Sequence, residues 1–224
     1  MTLNVLCVFN GAKYDVSYVA KLQAAVARHL PLPHRFLCIT DRQLGLPNVH
    51  EIIAKDQGPG WWAKMVLFAP LVRGVGPSIY FDLDTVICGD ISPLAWIAGN
   101  YKFAIFENWT KRAGHPTWPC RYASSLMTFG NGWGADIFRK WIKDGAEWME
   151  KAGQYGDQMV VEWLYPDAPF LQSLVPKGFF LGYRDLEARH GGGKPAGCSV
   201  VVFGGSHKPH SPTTPAWAKE YWRG

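Results

Sequence analysis

From Leu3 to Thr40 the chain changes its apolar period twice, and that change confines it to few folds. Leu3–Phe9 is an apolar run closed by Asn10-Gly11, which reads as a strand followed by a turn. Val16, Val19, Leu22, Val26 and Leu30 then recur at three- and four-residue spacing, one face of a helix that Pro31 and Pro33 stop. Arg35–Thr40 is a second strand, with Asp41 behind it. Strand, helix and strand in so short a span predict a βαβ unit and a parallel sheet. Val49–Ile53 predicts a third strand.

Ser78-Ile79-Tyr80-Phe81-Asp82-Leu83-Asp84-Thr85-Val86-Ile87-Cys88 is the stretch around which a site can be built. The apolar run after Gly76-Pro77 predicts a buried strand, and it ends in two carboxylates one residue apart. Open α/β sheets bind ligands at the carboxyl ends of their strands. Side chains two apart in extended chain point the same way, so Asp82 and Asp84 could converge on one cation. Their oxygens suit Mn²⁺ or Mg²⁺. A surface turn with two solvated acids is the competing reading, and the apolar residues on both sides weigh against it.

Composition narrows the choice. Hydrophobic residues make up 48% and charged residues 18% of 224 residues, a globular balance that excludes a disordered chain. The net charge of +5 suits an anionic ligand such as a diphosphate. Lys and Arg are scattered rather than clustered, so no nucleic-acid patch is expected. No run approaches the roughly 18 apolar residues of a membrane span. The start of the chain lacks a basic region followed by a long apolar stretch, so no signal peptide is expected. Cys7, Cys38, Cys88, Cys120 and Cys198 contain no Cys-x-x-Cys pair, and three of them lie in apolar runs. That favours a reducing, cytoplasmic location.

Further along, Gly58-Pro59-Gly60 breaks the chain before a helix over 61–72 that carries Lys64. Ile91–Leu94 turns into a short helix and Phe103–Phe106 is a strand. Residues 107–123, with Trp109, Gly114, His115, Pro116, Trp118 and Pro119, predict a binding loop or lid. Ser124–Phe129 is a strand, Trp133–Met149 an amphipathic helix, and Asp157-Gln158 opens a shorter one through Leu164. Residues 170–182 read as two short strands. A polar loop around Gly191-Gly192-Gly193 precedes the last strand, Ser199–Phe203. That strand runs into Gly204-Gly205-Ser206-His207-Lys208-Pro209-His210. Neither a repeat nor a linker is evident, so one domain over 1–224 is expected, with a nucleotide-binding half near 1–100 and an acceptor half near 101–224.

Carboxylates able to hold a divalent ion, together with a lysine in a glycine-rich loop, are what a nucleotide diphosphate leaving group needs. In this order Tyr14, Lys64, Asp82-Leu83-Asp84, Asp157-Gln158 and the Lys208 loop resemble the GT-A-fold glycosyltransferases, and most closely the glycogenin-like retaining enzymes of family 8. The resemblance implies an α/β fold with a mostly parallel central sheet flanked by helices. It implies transfer of a sugar from a nucleotide donor, UDP-linked, to a carbohydrate or other acceptor, with retention. Phe9, Asn10 and Tyr14 would face base and ribose. Asp82 would contact ribose and metal, and Asp84 the metal. Lys64 and Lys208 would hold phosphates or donor sugar, Asp157 the donor hydroxyls, and Ser124 and Ser125 would line the sugar site. Gln158 would lie near the anomeric carbon. The family's His ligand aligns with Val202, which cannot bind a metal, and His207 is the candidate replacement. Two other readings stay open: a metal-dependent phosphohydrolase using the same acids, and a non-catalytic carbohydrate-binding protein using the tryptophans.

Overall fold

The structure, a computed structural model, describes residues 2–55, 58–74, 76–109, 119–183, 186, 193–205 and 207–224. Residues 110–118 of the expected binding loop lie outside the described residues, as do Gly191, Gly192 and Ser206.

Nine strands form two sheets among the described residues. The larger has the order β3-β2-β1-β4-β7-β6. It consists of β1 (Leu3–Phe9), β2 (His34–Thr40), β3 (His50–Ile53), β4 (Ser78–Phe81), β6 (Phe103–Glu107) and β7 (Tyr122–Phe129). β3, β2, β1 and β4 run parallel. β7 is antiparallel to β4 and to β6. The helix α1 (Ser17–His29) carries β1 to β2, as the periodicity predicts. The chain then moves outward to β3 and returns to the other side of β1 for β4. β1 and β4 therefore flank the point where the strand order reverses, the place where such sheets open a crevice.

Alternate residues of β1 and β4 feed two cores. Val5, Cys7, Phe9, Ile79 and Phe81 pack with Val19, Leu22 and Val26 of α1 and with the smaller sheet. Leu6 and Tyr80 pack with Trp62, Met65 and Phe68, and with Ile137 and Val160. The smaller sheet, β5 (Val86–Ile87), β9 (Val200–Val202) and β8 (Phe180–Gly182), is not foreseen as a separate layer.

Two segments differ from the sequence expectation. The helix over 61–72 is two pieces, a 3-10 helix Gly60–Phe68 and α2 (Pro70–Arg73). Pro70 disfavours helical angles at the residue before it, and Ala69 lies at ψ 142°. The first of the two strands expected over 170–182 is helical, α6 (Leu171–Leu174), and Phe170 alone bridges to Ile105. The tail contains α7 (Ala216–Tyr221). The remaining helices are α3 (Ser92–Asn100), α4 (Ala135–Ala152) and α5 (Asp157–Leu164). Among the described residues no helix is long and apolar enough to cross a membrane.

Candidate active site

β4 ends at Phe81, and the chain turns at once, with the Thr85 N–H donating to the Asp82 carbonyl at 3.1 Å. The alternation of extended chain stops there, and the two acids pair with different lysines. Lys64 Nζ lies 2.8 Å from Asp82 Oδ1, and the Tyr80 hydroxyl donates to the same oxygen at 2.5 Å. Lys64 also donates to Ser124 Oγ at 3.1 Å. On the other side, Lys208 Nζ donates to Asp84 Oδ2 at 2.6 Å and the Tyr14 hydroxyl donates to it at 2.9 Å. Asp84 is 4% exposed, which rules out a solvated surface turn. A buried carboxylate is tolerable when charged and hydrogen-bonded donors meet it, as they do here.

The titrations follow from this packing. Burial pulls the Lys64 ammonium toward a lower pKa, but the carboxylates of Asp82 and then Asp157 more than reverse it, leaving it raised. Burial, reinforced by Asp84, raises the Tyr14 phenol far above its ordinary value. Both groups hold their protons and remain donors at neutral pH.

Asp157 and Gln158 open α5 beside β7. The partner of β7 changes from Ile105 opposite Met127 to Phe106 opposite Ala123. Ser124, Ser125 and Leu126 thus form a bulge, the device by which a strand re-aims its side chains near a site. Ser124 hydrogen-bonds the Asp157 carboxylate, and its N–H donates to Gln158 Oε1 at 3.4 Å. Burial pushes the Asp157 carboxyl up, and Lys64 opposes the shift without cancelling it. The Ser125 carbonyl accepts the Asp82 N–H at 2.9 Å. Its hydroxyl is buried with no protein partner among the described residues.

The rim at the end of β1 is built by residues that sequence reasoning in part missed. The Arg42 guanidinium covers the Phe9 ring at 4.7 Å, bonds Asp41 at 2.8 Å and donates to the Gly11 carbonyl at 2.8 Å. Asn10 Nδ2 donates to the Gly58 carbonyl at 3.0 Å. The signal for Arg42 is its place two residues past the end of β2, the parallel neighbour of β1. In the sequence Tyr80 is one of an apolar run, although it stands two residues before Asp82.

The C-terminal loop brings Lys208 to Asp84. It is tied down by Thr214 Oγ1, which donates to the Lys208 carbonyl at 3.0 Å, and by the Tyr18 hydroxyl against His210 Nδ1 at 2.6 Å. His207, the expected replacement ligand, instead stacks on Tyr183 with ring centroids 3.9 Å apart. Among the described residues no three His, Cys, Asp or Glu side chains group so as to hold a metal. Asp82 and Asp84 are the carboxylates that stand together after β4, each bound to a lysine. Two carboxylates fit a hard divalent cation whose remaining positions go to substrate phosphates and water.

The chain matches no family model and no curated protein. Its structure is similar to solved glycosyltransferases. For apo GlyE of Streptococcus pneumoniae TIGR4 the TM-score is 0.68 at 14% identity, over 99% of this chain and 59% of GlyE. The chain thus spans little more than half of GlyE. For an active-site variant of LgtC, a glutamine replaced by glutamate, the TM-score is 0.67 at 13% identity, over 97% of this chain and 93% of LgtC. For the galactosyltransferase LgtC in complex with donor and acceptor sugar analogs the TM-score is 0.64 at 14% identity. The fold expected from the ordered motifs is the fold observed: a mixed α/β structure on a mostly parallel sheet, the GT-A architecture shared with these glycosyltransferases.

Proposed function

We propose that the protein is a glycosyltransferase that moves a sugar from a nucleotide-diphosphate donor, UDP-linked, to a carbohydrate or other glycosyl acceptor, with retention at the anomeric carbon. One observation supports the reading above the others. Two acids, each paired with its own lysine, follow β4 at the strand-order reversal, beside Asp157 and Gln158.

Phe9 with Arg42, and Asn10, would form the nucleoside rim. Lys64 and Lys208 would turn from the aspartates to the donor phosphates; Asp82 and Asp157 favour the charge that Lys64 brings. Asp82 and Asp84 would hold Mn²⁺ or Mg²⁺, and such an ion neutralises charge on a departing diphosphate. Ser124, Ser125 and Asp157 would hold sugar hydroxyls. Gln158 would present a neutral amide to the positive charge that grows at the anomeric carbon. The bond from that carbon to phosphate oxygen breaks, the acceptor oxygen bonds on the same face, and its proton passes to the leaving phosphate. An LgtC variant altered at an active-site glutamine is consistent with that role for Gln158. His207 is left outside the ligand set. All five cysteines are free and buried, which suits a reducing compartment such as the cytoplasm.

Calorimetric titration of UDP with and without Mn²⁺ tests the proposal. The parent should bind UDP more tightly with Mn²⁺, and Asp84→Ala should lose that gain, weakening metal-dependent binding by about tenfold or more, equivalent to about 1.4 kcal/mol. UDP binding indifferent to Mn²⁺, or unchanged in the variant, would overturn the assignment.

A further inference from the structure

Trp61 has no part in the donor site described above, yet it is 50% exposed. Side chains three apart eclipse one another in a 3-10 helix; along Gly60–Phe68 Ala63 and Leu67 are buried as well. Trp62, Met65 and Phe68 form one row and are buried in the core. Trp61 and Lys64 lie on the neighbouring row, one turn apart. Lys64 ends at Asp82 and Ser124, so Trp61 stands on the side of the helix that faces the site.

A second contact fixes where the ring lies. A Cβ at Gly156 would sit 2.7 Å from Trp61 Nε1 and 2.9 Å from its Cδ1. The pyrrole edge of the indole therefore rests on the backbone just before Asp157, at a residue whose φ of +69° favours glycine. In sequence the indole is one 3-10 turn before Lys64, and in space its edge meets the residue before Asp157. Three of the groups assigned to the donor are deep: Asp84 and Asp157 are 4% exposed and Ser124 is 2% exposed. The half-exposed Trp61 is more open to solvent than these groups are.

We propose that Trp61 is the stacking platform for a pyranose ring of the acceptor. This rests on the glycosyltransferase reading and narrows the acceptor class to a sugar or glycoside. A pyranose has an apolar C–H face that covers an aromatic ring while its hydroxyls stay directed outward. The edge contact at Gly156 sets the plane of the indole before the sugar arrives, so little conformational freedom is lost on binding.

The test uses protein carrying 5-fluorotryptophan, with the Trp61 fluorine resonance identified by its loss in Trp61→Phe. Methyl β-D-galactopyranoside, lactose and maltose are titrated in the presence of UDP and Mn²⁺. The Trp61 resonance should shift saturably with at least one of the three. Ligand-observed saturation transfer should show that sugar binding about threefold to tenfold weaker in Trp61→Ala. Trp61→Phe, which keeps a ring, should lose less. A Trp61 resonance that stays still with all three sugars, or sugar binding unaltered in Trp61→Ala, overturns the proposal. UDP binding is measured by calorimetry on the same sample. Its absence defeats the donor reading, whereas UDP binding with a silent Trp61 defeats the platform alone.

Discussion

Asp157 holds a carboxylate where the protein disfavours its charge. Burial raises its pKa, and Lys64 and Ser124 only partly restore the ordinary value. The folded state therefore binds this proton more tightly than the unfolded state does. Its contribution to stability is fully present below the unfolded pKa, about 4, and is lost as pH rises through the higher folded value. Asp157→Asn removes that loss, so the variant should gain stability over the parent near pH 7 and show less advantage near pH 4, read by urea unfolding at both. If the carboxylate holds donor hydroxyls, the same change should lower kcat/KM by about tenfold to a hundredfold, the worth of a charged hydrogen bond. A variant less stable than the parent at pH 7 would mean that Lys64 needs Asp157 more than burial penalises it. Asp82, Asp84, Lys64 and Lys208 were legible because each interrupts an apolar run or a glycine-rich loop. Tyr80, Trp61 and Arg42 were not. Two are aromatics in a chain with 11 Trp and 9 Tyr, where core packing is the default meaning of a ring. Arg42 acquires its role only when β1 and β2 pair and bring it over Phe9.

At the scale of elements, the period of three and four residues found α1, and short apolar runs found β1, β2, β4 and β7. The breaks were harder. Pro70 splits a run that hydropathy alone reads as continuous. The strand β5 is two residues long, too short for any periodicity, and exists through its pairing with β9 more than a hundred positions away. α4 depends on a single backbone conformation at its start. Gly134 has φ +98°, and a Cβ there would lie 2.8 Å from Phe68 Cδ1. Gly134→Ala should combine strain at positive φ with overpacking, together about 2–5 kcal/mol, measured as a lower urea midpoint. The helix also stacks Trp141 on Trp62 of the Lys64-bearing segment, with centroids 5.4 Å apart. A shift at Gly134 should therefore reach Lys64 and weaken UDP binding as well. An unchanged midpoint would show that Phe68 can move aside freely.

The whole molecule joins distant parts of the chain at one crevice. β6 and β7, from the second half, extend the sheet that begins with β1 and β4, so we read the halves as one unit rather than two. The C-terminal segment closes the arrangement from the other face. Trp222 is 7% exposed and packs edge-on to Tyr18, with centroids 5.1 Å apart. Arg28 of α1 donates to the carbonyls of Tyr221 and Arg223, at 3.2 and 2.9 Å. Tyr18 in turn meets His210 and lies 4.6 Å from the Tyr14 ring, whose hydroxyl holds Asp84. Trp222 thus supports, at one remove, both the loop of Lys208 and the acid it pairs with. Trp222→Ala leaves a cavity beneath α1 and should destabilise by about 3–5 kcal/mol. In a chain of this length that lowers Tm by about 6–20 °C. Trp222→Phe should be much milder, because the indole N–H is buried without a partner among the described residues and no hydrogen bond is lost. UDP affinity, measured well below either Tm, should fall in the alanine variant and hold in the phenylalanine one. If Trp222→Ala unfolds early but binds UDP as the parent does, the C-terminal segment stabilises the fold without positioning Lys208.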